Sequence, residues 1–579
     1  MTKVDPITRQ IIQSALASAG DEMAVGLHRT ARSTIVRDVL DFSTSICDAD
    51  GQQIAQGVTI PMHLGSVPYA MVTLLKKYGD RMQPDDIFIL NDPFDGGMHL
   101  PDIFIAQPIF VGDRRVAFAV ATAHHLDVGG RLPGSSACDN VEIFQDGLRI
   151  PWLKLYDRGE PNEAIFSLIR ANVRVPEMAI GDLRAELAAC HVGRKAVIEL
   201  TDRYGVETFL QCAKDLLDYT EQLVRADIAT WPDGSSTFTD YMDSNGCPDS
   251  PGPVKITCTI TVHGDSLTAD FTGSDPQVRG AINSTLSMTA SCVAFCVRSM
   301  IREQIPNTAG MFRPLTIIAP SGTVLNGEMP AASSMRGVTA FRTVDVVFGT
   351  LTGIVPDRVP AAGDGGNSLV IIGGQREDTR RPYVYYELMS GTWGARPDRD
   401  GNDGLCNPAN IASNIPIEEA ESNYPVRIEQ YGFVRDSGGA GRYRGGMAIQ
   451  REWTLLQGDA SLLIRSDRRD HRPYGLCGGG DGAPSTSVLH HVGGTKEVLP
   501  VMVSTTMDAG ERLYHHQPGA GGYANPLDRD PVAVAQDVKN DRVSTQAAAN
   551  VYGVAVDPDT YQVDEKATEQ RRKRLRESP

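Results

Sequence analysis

Residues Ile87–Phe110 read IFILNDPFDGGMHLPDIFIAQPIF, and residues Val111–Gly130 continue as VGDRRVAFAVATAHHLDVGG. The apolar runs Ile87–Leu90 and Ile103–Phe110 flank a loop rich in Asp, Gly and Pro, and Val116–Thr122 forms a third run. Runs of this length and composition predict three β-strands. The polar residues at their ends and on the loop are Asp92, Asp95, His99, Asp102, His124, His125 and Asp127. Because strand ends place side chains rigidly and loops carry function, we expect the chemical centre of the protein here.

Histidine and aspartate residues of this stretch form a candidate metal site. His99 and Asp102 share one loop, and His124 ends the neighbouring strand. Asp41 lies at an earlier predicted strand and faces the same way as Ser43. Two imidazoles and two carboxylates suit Zn²⁺, Mn²⁺ or Fe²⁺, and a divalent ion can lower the pKa of water to near neutrality. The same residues could instead cap turns, and spacing alone leaves both interpretations open because no short metal motif is present.

Three other features are weaker candidates. His125 could act as a general acid or base, but strand alternation points it away from His124. The loop PGAGGYANP at 518–526 could cradle a phosphate, although it lacks the Lys of a P-loop and a plain turn is favoured. Arg396, in GTWGARPDRDGNDG at 391–404, could grip an anion bidentately, although the Asp-Gly pairs there also favour turns.

Length, net charge, cysteine content and the lengths of apolar runs limit the class of protein to which the chain can belong. A chain of 579 residues exceeds the ~250–300 residues that one core usually serves, so we expect two or three domains or lobes. A net charge of −17 argues against nucleic-acid binding, which normally requires a basic surface. The ten cysteines are scattered, which indicates a reduced complement without a disulfide framework. With no signal peptide and no apolar run near ~20 residues, we expect a cytoplasmic protein that does not enter the membrane.

The order of patterns along the chain predicts an α+β fold. Asp5-Pro6 is a helix start, and apolar spacing carries that helix to about Arg32. Further helices are predicted over Val67–Tyr78, Thr285–Ile301 and Phe341–Gly353. The architecture is expected to be mixed and multi-lobed: an N-terminal α/β metal-site region (1–160), a helical block (161–233), a mixed α/β region (234–424), a β-rich C-terminal region (425–560) and a charged tail (561–579).

Several long motifs resemble the hydantoinase B/5-oxoprolinase family. They are LNDPFDGGMHLPDI at 90–103, AHHLDVGG at 123–130, NVRVPEMAIGDLRAE at 172–186, DSGGAGRYRGG at 436–446 and PGAGGYANPLDRDP at 518–531. The resemblance runs from the first helix to about Val554. The glycine-rich loop reads GAGG where the family usually reads GGGG, and Ala524-Asn525 stand where Gly-Asp is common, which leaves the role of Gly519–Gly522 open.

The resemblance implies an enzyme subunit with a defined partner. Members of this family are β subunits, or C-terminal halves, of ATP-dependent hydrolases that open cyclic amides such as lactams and hydantoins. ATP is bound by a hydantoinase A-type ATPase subunit, which phosphorylates the ring carbonyl oxygen. The B-type subunit hydrolyses the activated ring in a hetero-oligomer that we expect to be α2β2. The metal ligands of relatives match Asp41, His99, Asp102 and His124 of this sequence.

Two rival functions accompany this expectation. The first is a subunit of an ATP-dependent carboxylase of the acetone or acetophenone type, which uses a similar chain with a partner that supplies ATP. The second is a scaffold that only organises the ATPase subunit, with the His/Asp residues serving as structural caps. ATP turnover that depends on bicarbonate and a ketone would favour the carboxylase, and a stoichiometric divalent ion would count against the scaffold.

Overall fold

Asp5 caps the first helix as its sequence predicts, since its carboxylate accepts a hydrogen bond from the backbone N–H of Thr8 at 2.9 Å. The computed structural model describes residues 4–57, 60–247, 249 and 251–577. Within these ranges the α-helices are α1 (Pro6–Thr30), α2 (Thr34–Arg37), α3 (Ser66–Tyr78), α4 (Glu163–Asn172), α5 (Pro176–Tyr204), α6 (Val206–Ile228), α7 (Leu286–Met300), α8 (Arg336–Leu351), α9 (Ile417–Asn423), α10 (Pro531–Lys539), α11 (Thr545–Asn550) and α12 (Glu565–Glu577).

The strands of the same residues form five sheets, which makes the fold α+β as the sequence predicts. In chain order they are β1 (Phe42–Asp48), β2 (Gln53–Gln56), β3 (Ile87–Leu90), β4 (Asp102–Val111), β5 (Arg114–His124), β6 (Leu153–Asp157), β7 (Glu160–Pro161), β8 (Gly234–Met242), β9 (Val254–His263), β10 (Ser266–Asp270), β11 (Leu315–Ile318), β12 (Leu369–Gln375), β13 (Pro382–Leu388), β14 (Val426–Phe433), β15 (Ile449–Leu455), β16 (Asp459–Arg465), β17 (Thr486–His490), β18 (Lys496–Val498), β19 (Met502–Asp508), β20 (Arg512–His516), β21 (Ala555–Val556) and β22 (Val563–Asp564).

The largest sheet contains all three strands predicted within Ile87–Gly130. Its order is β2-β1-β5-β4-β3-β6-β7, and every neighbouring pair is antiparallel. Helices α1 and α5 pack against each other, and α5 lies on β4 and β5. In this sheet β4 begins directly opposite the end of β5, so the loop before β4 and the end of β5 meet at one edge.

The other sheets bring distant parts of the chain to that edge. One contains β8 to β11, a second has the order β13-β12-β16-β19, a third has the order β14-β15-β20-β17-β18, and β21 pairs with β22. The short turn at Pro133–Ser135, in the long loop after β5, packs on β12 and β13. This contact places the β13-β12-β16-β19 sheet over the end of β5.

Helix α8 runs through the middle of the molecule, and all of its sixteen residues are buried. It starts five residues before the predicted Phe341. Gly337, in its first turn, belongs to the helix and does not break it. A Cβ at Gly337 would lie 2.7 Å from Asn367 Oδ1, so glycine allows close approach of that loop. A glycine in the first turn of a helix resembles a helix breaker in sequence, which explains the late predicted start.

Buried apolar residues form one large core and one small one. The large core runs from Ile12 to Leu513 and includes residues of every region up to β20. The small core is a separate cluster of Val534, Val543, Ala548, Tyr552 and Val554. The predicted domain boundaries stay a prediction. Among the helices described, none is both long and apolar enough to cross a membrane.

Candidate metal centre

Three strands of the largest sheet and the loop before β4 bring the predicted ligands together. Asp102, the first residue of β4, pairs with His124, the last residue of β5. The backbone carbonyl of Asp41, just before β1, accepts a hydrogen bond from the His124 N–H at 3.0 Å. His99 lies on the loop before β4, and its Nε2 is 3.2 Å from Asp102 Oδ1. The structure therefore gathers Asp41, His99, Asp102 and His124 in one buried cluster, and that they bind a metal stays a prediction.

The cluster contains two overlapping groups of potential ligand atoms. One atom from each of His99, Asp102 and His124 lies within 4.8 Å of the others, and the same holds for Asp41, His63 and Asp102. Asp102 is common to both groups. Each of these five side chains belongs to a buried residue. The cluster thus offers three imidazoles and two carboxylates rather than the two of each that the sequence predicted.

His63 is the member that sequence reasoning missed. It ends a short helical turn, Pro61–His63, and its Nδ1 lies 2.8 Å from the hydroxyl of Ser43 on β1. Its Nε2 is 4.0 Å from Asp41 Oδ1. The sequence gives His63 no partner at a recognisable spacing. The one available signal was Ser43, which shares the strand face of Asp41.

Unsatisfied atoms in the cluster fit a bound cation. His99 Nδ1 and His124 Nδ1 are buried without a hydrogen-bond partner among the described residues, and His99 Nε2 and Asp102 Oδ1, although 3.2 Å apart, do not have the geometry of a hydrogen bond to each other or to any other described group. Buried polar atoms are nearly always satisfied in folded proteins, and leaving one unpaired costs about 1–3 kcal/mol. Imidazole nitrogen and carboxylate oxygen are the donors that Zn²⁺, Mn²⁺ and Fe²⁺ accept. The residues present therefore fit a divalent metal.

The protonation of the cluster also suits metal binding. Burial lowers the pKa of His63 and of His99 to about 4, and it holds the pKa of His124 well below its ordinary value. All three imidazoles are therefore neutral at pH 7, which is the form that binds metals. Burial raises the pKa of Asp41 to about 7, and the charge of Asp102 adds to that rise. Burial alone would raise the pKa of Asp102, but His99 and Arg336 hold it well below its usual range, so this carboxylate is ionised.

Three further polar side chains reach the cluster from distant elements. Arg336, at the start of α8, donates a hydrogen bond to Asp102 Oδ2. The hydroxyl of Tyr386 on β13 lies 3.4 Å from His124 Nε2. Arg465, the last residue of β16, is buried close enough for its charge to act on Asp41 and His124. It donates from Nε to the carbonyl of Asn367 at 2.9 Å and makes no ion pair with any described carboxylate. Local sequence patterns could not reveal these residues, because the packing of separate sheets brings them together.

His125 lies outside the cluster. Its Nε2 is 3.0 Å from Glu186 Oε2 on α5, and both residues are buried on the opposite side of β5. Burial would lower the pKa of His125, but the hydrogen bond and charge of Glu186 raise it. The structure therefore does not bring this predicted acid or base to the candidate ligands, in agreement with strand alternation. Asp92 and Asp127 instead accept backbone hydrogen bonds from Phe94 and Gly129 and shape their loops.

The backbone of the glycine-rich loop Gly519–Gly522 is hydrogen-bonded to neighbouring segments of the chain. Its four backbone N–H groups donate to the carbonyls of Ala483, Gly446, Ala362 and Gly480 at 2.8–3.0 Å. A Cβ at Gly519 would lie 1.8 Å from the Ser437 carbonyl oxygen. Because these N–H groups are already used, they are not available to a phosphate in this arrangement.

Comparisons with known proteins agree with this arrangement of the chain. The family model described as hydantoinase B/oxoprolinase matches residues 5–526. The B-type subunit of a putative D-/L-hydantoinase from Pseudomonas sp. (strain NS671) is 31% identical over 99% of both chains. The beta subunit of the caprolactamase of Pseudomonas jessenii is 32% identical, over 98% of this chain and 99% of that protein.

Solved structures show the same fold. The crystal structure of the ATP-dependent caprolactamase from Pseudomonas jessenii matches with a TM-score of 0.92, over 99% of this chain and 100% of that chain. A nucleotide-free structure of acetone carboxylase matches with a TM-score of 0.92 at 20% identity, over 99% of this chain and 83% of that chain, which establishes a shared fold alone. By its sequence and its fold, this chain belongs to the hydantoinase B/oxoprolinase family.

Proposed function

We propose that this chain is the metal-dependent, ring-opening subunit of an ATP-dependent cyclic amide hydrolase. Its partner, a hydantoinase A-type ATPase subunit, uses ATP to phosphorylate a lactam or hydantoin, and this chain hydrolyses the activated ring in a cytoplasmic α2β2 assembly. The observation that carries the proposal is the buried cluster of Asp41, His99, Asp102 and His124, in which unsatisfied atoms of His99, Asp102 and His124 fit a divalent ion. The names of the relatives, subunits of a caprolactamase and of a putative hydantoinase, support the substrate class and the need for a partner.

Chemistry explains why two subunits are needed. Resonance makes an amide a poor electrophile. Phosphorylation of the carbonyl oxygen makes the ring carbon more electrophilic and turns that oxygen into part of a phosphate, which leaves readily. A Zn²⁺, Mn²⁺ or Fe²⁺ ion held by the cluster would supply Lewis-acid polarisation and lower the pKa of water. An activated ring hydrolyses easily, so it needs protection from bulk water, and the burial of the cluster provides that protection.

The side chains around the cluster have roles in this reaction. His63 is the general base, because Ser43 holds its Nδ1 and its Nε2 faces Asp41 and Asp102. Arg465 binds the phosphoryl oxygens of the activated ring, since it is a buried arginine that makes no ion pair with any described carboxylate. The hydroxyl of Tyr386, beside His124, orients the ring.

His99→Ala in the reconstituted complex tests the proposal. Removing this imidazole takes a ligand from the cluster, so bound metal should fall from about one ion per chain to near zero, and lactam hydrolysis should fall to background. Elemental analysis and product assays over a panel of lactams and hydantoins measure the two effects. His191→Ala is the matched control, because His191 is exposed on α5 and should leave both unchanged.

Two results would overturn the proposal. Full ring-opening activity of metal-free protein would show that the reaction does not need a metal at the cluster. ATP turnover that requires bicarbonate and a ketone, with no lactam or hydantoin accepted, would instead assign the chain to a carboxylase, the activity in the name of its structural neighbour at 20% identity.

A further inference from the structure

One cavity lies away from the His/Asp cluster. It has a volume of about 230 Å³ and lies between α7, α8 and the loops around Ala361 and Arg396. Asp345 on its wall lies about 13 Å along α8 from Arg336, which contacts the cluster. The volume is below the roughly 300–1,000 Å³ of sites for drug-sized ligands, so it suits a smaller molecule.

The walls of this cavity are mainly apolar. They include the aromatic residues Phe295, Phe348 and Trp393 and the aliphatic residues Met300 and Val344. Phe295 and Phe348 pack edge to face with ring centroids 6.0 Å apart, which gives one wall a defined shape. Burying the apolar body of a ligand against such walls would contribute ~25 cal/mol per Å² of surface removed from water.

Two of the three charged residues on the lining are already neutralised. Asp345 is bound by Arg468 through Oδ2, and burial raises its pKa. Arg358 pairs with Asp227 at 2.9 Å and also donates to the carbonyl of Met300. Neither side chain is free to match the charge of a ligand.

Arg396 is the exception. Its guanidinium makes no hydrogen bond or ion pair with the described residues, and its Nε is buried without a partner. Its guanidinium carbon lies 5.6 Å from the centre of the Trp393 ring, so the side chain is held at the cavity. Burial and the neighbouring charge of Arg399 lower the pKa of Arg396, and the charge of Asp398, which pairs with Arg399, offsets this only in part.

We infer that this cavity binds a small monocarboxylate with an apolar body, whose carboxylate pairs with Arg396. A planar guanidinium donates two parallel hydrogen bonds to a carboxylate, and the apolar walls accommodate an alkyl or aryl group of limited size. Because no unneutralised carboxylate lines the described cavity, a second, positively charged group on the ligand finds no partner. The assignment depends on this cavity alone and does not require the ring-opening activity.

Isothermal titration of the purified full-length chain with hexanoate tests the assignment. Hexanoate should bind, whereas hexanamide, which has the same body without the charge, should not. Arg396→Gln should weaken hexanoate binding at least ten-fold, and Arg396→Lys should retain part of it, since Lys keeps the charge and loses the bidentate geometry. Arg399→Gln is the matched control, because Arg399 lies on the same loop but is exposed and paired with Asp398.

A second readout and a second ligand sharpen the test. Hexanoate should change the tryptophan fluorescence of the chain, and Trp393→Phe should abolish that change. 6-Aminohexanoate should bind more weakly than hexanoate. Absence of hexanoate binding, equal binding to the Arg396→Gln variant with an unaltered melting temperature, or tighter binding of 6-aminohexanoate would each overturn the assignment. These outcomes are separate from the metal and lactam assays, so the two proposals can fail independently.

Discussion

At the scale of single residues, Ser43 determines which ring nitrogen of His63 carries the proton and which one faces the cluster. A neutral imidazole has one donor and one acceptor nitrogen, and the partner of one nitrogen fixes the role of the other. The Ser43 hydroxyl lies 2.8 Å from His63 Nδ1. When it accepts a hydrogen bond from Nδ1–H, the lone pair of Nε2 faces Asp41 and Asp102. Ser43 is therefore a positioning residue for the proposed base.

Ser43→Ala should lower kcat for ring opening by about 10–100-fold, the usual effect of losing such an orienting partner. Metal content should stay unchanged, and the pH profile of kcat should shift. Ser43→Thr, which keeps the hydroxyl, should recover most of the activity. Ser45→Ala is the control, since Ser45 lies two residues further along the same face of β1 and contacts Gln53. Unchanged kcat in Ser43→Ala would contradict the role.

His515 links the stability of the chain to pH. It is fully buried on β20, its Nδ1 lies 2.9 Å from the Ser487 hydroxyl, and burial lowers its pKa to about 3. An unfolded histidine has a pKa of about 6.5, so between about pH 6.5 and 3 the unfolded chain binds a proton that the folded chain does not. The stability contributed by His515 is therefore present above pH 6.5 and falls as the pH falls.

Thermal melts of His515→Gln and of the wild type at pH 7 and pH 5 measure this contribution. The wild type should lose about 2 kcal/mol more than the variant between the two pH values. His191→Gln, a change at an exposed histidine, should follow the wild type. Equal losses for wild type and His515→Gln would show that His515 takes up its proton in the folded state.

At the scale of elements, the glycine-rich segments act as backbone-packing units. Gly519, Gly521 and Gly522 each have a carbonyl oxygen within 1.8–2.2 Å of where a Cβ would stand. The contacts come from Ser437, Tyr474 and Ala440, so separate glycine-rich segments meet through their main chains. The GAGG sequence serves this packing, and Ala520 is tolerated within it as a fully buried residue.

Gly519→Ala should destabilise the chain by at least about 2 kcal/mol, because the added methyl group would overlap the Ser437 carbonyl and force the two segments apart. The melting temperature measures the effect. Gly493→Ala is the control, since Gly493 has open space around the position of a Cβ, and it should change stability by less than about 0.5 kcal/mol. An unchanged melting temperature in Gly519→Ala would mean that these segments can move apart without a loss of stability.

At the scale of the whole molecule, local patterns predicted the largest sheet and missed what packs against it. Alternation and loop composition were enough to place Asp102 and His124 at strand ends and His99 on the loop before β4, and strand phase was enough to add Asp41. Arg336, Tyr386 and Arg465 reach the same cluster only because α8 and the sheet of β12, β13 and β16 pack over the end of β5. Such contacts depend on long-range topology, which a single sequence does not encode in local spacing.

The C-terminal segment is held to the main body by a buried arginine. Arg529 pairs through two hydrogen bonds of 2.6 Å with Asp400, and it also pairs with Asp537 on α10 at 2.8 Å. Helix α10 also supplies Val534 to the small core, so the arginine connects that core to the rest of the chain. Helix α12 adds a contact, since Arg572 donates to the carbonyl of Arg529.

Arg529→Ala should release the segment 531–577 while the large core stays folded, because the change leaves the buried carboxylate of Asp537 without this partner. Removing one member of a buried pair costs about 3–5 kcal/mol. Limited proteolysis and hydrogen exchange should show faster cleavage and exchange in 531–577, with unchanged metal content at the cluster. Arg435→Ala is the matched control, since the Arg435–Asp541 pair joins the same two parts of the chain at 2.7 Å but is exposed, and exposed pairs contribute about 0–1 kcal/mol. Uniform protection of 531–577 in Arg529→Ala would mean that the remaining contacts, such as the Arg542–Asp403 pair at 3.2 Å, hold the segment without Arg529.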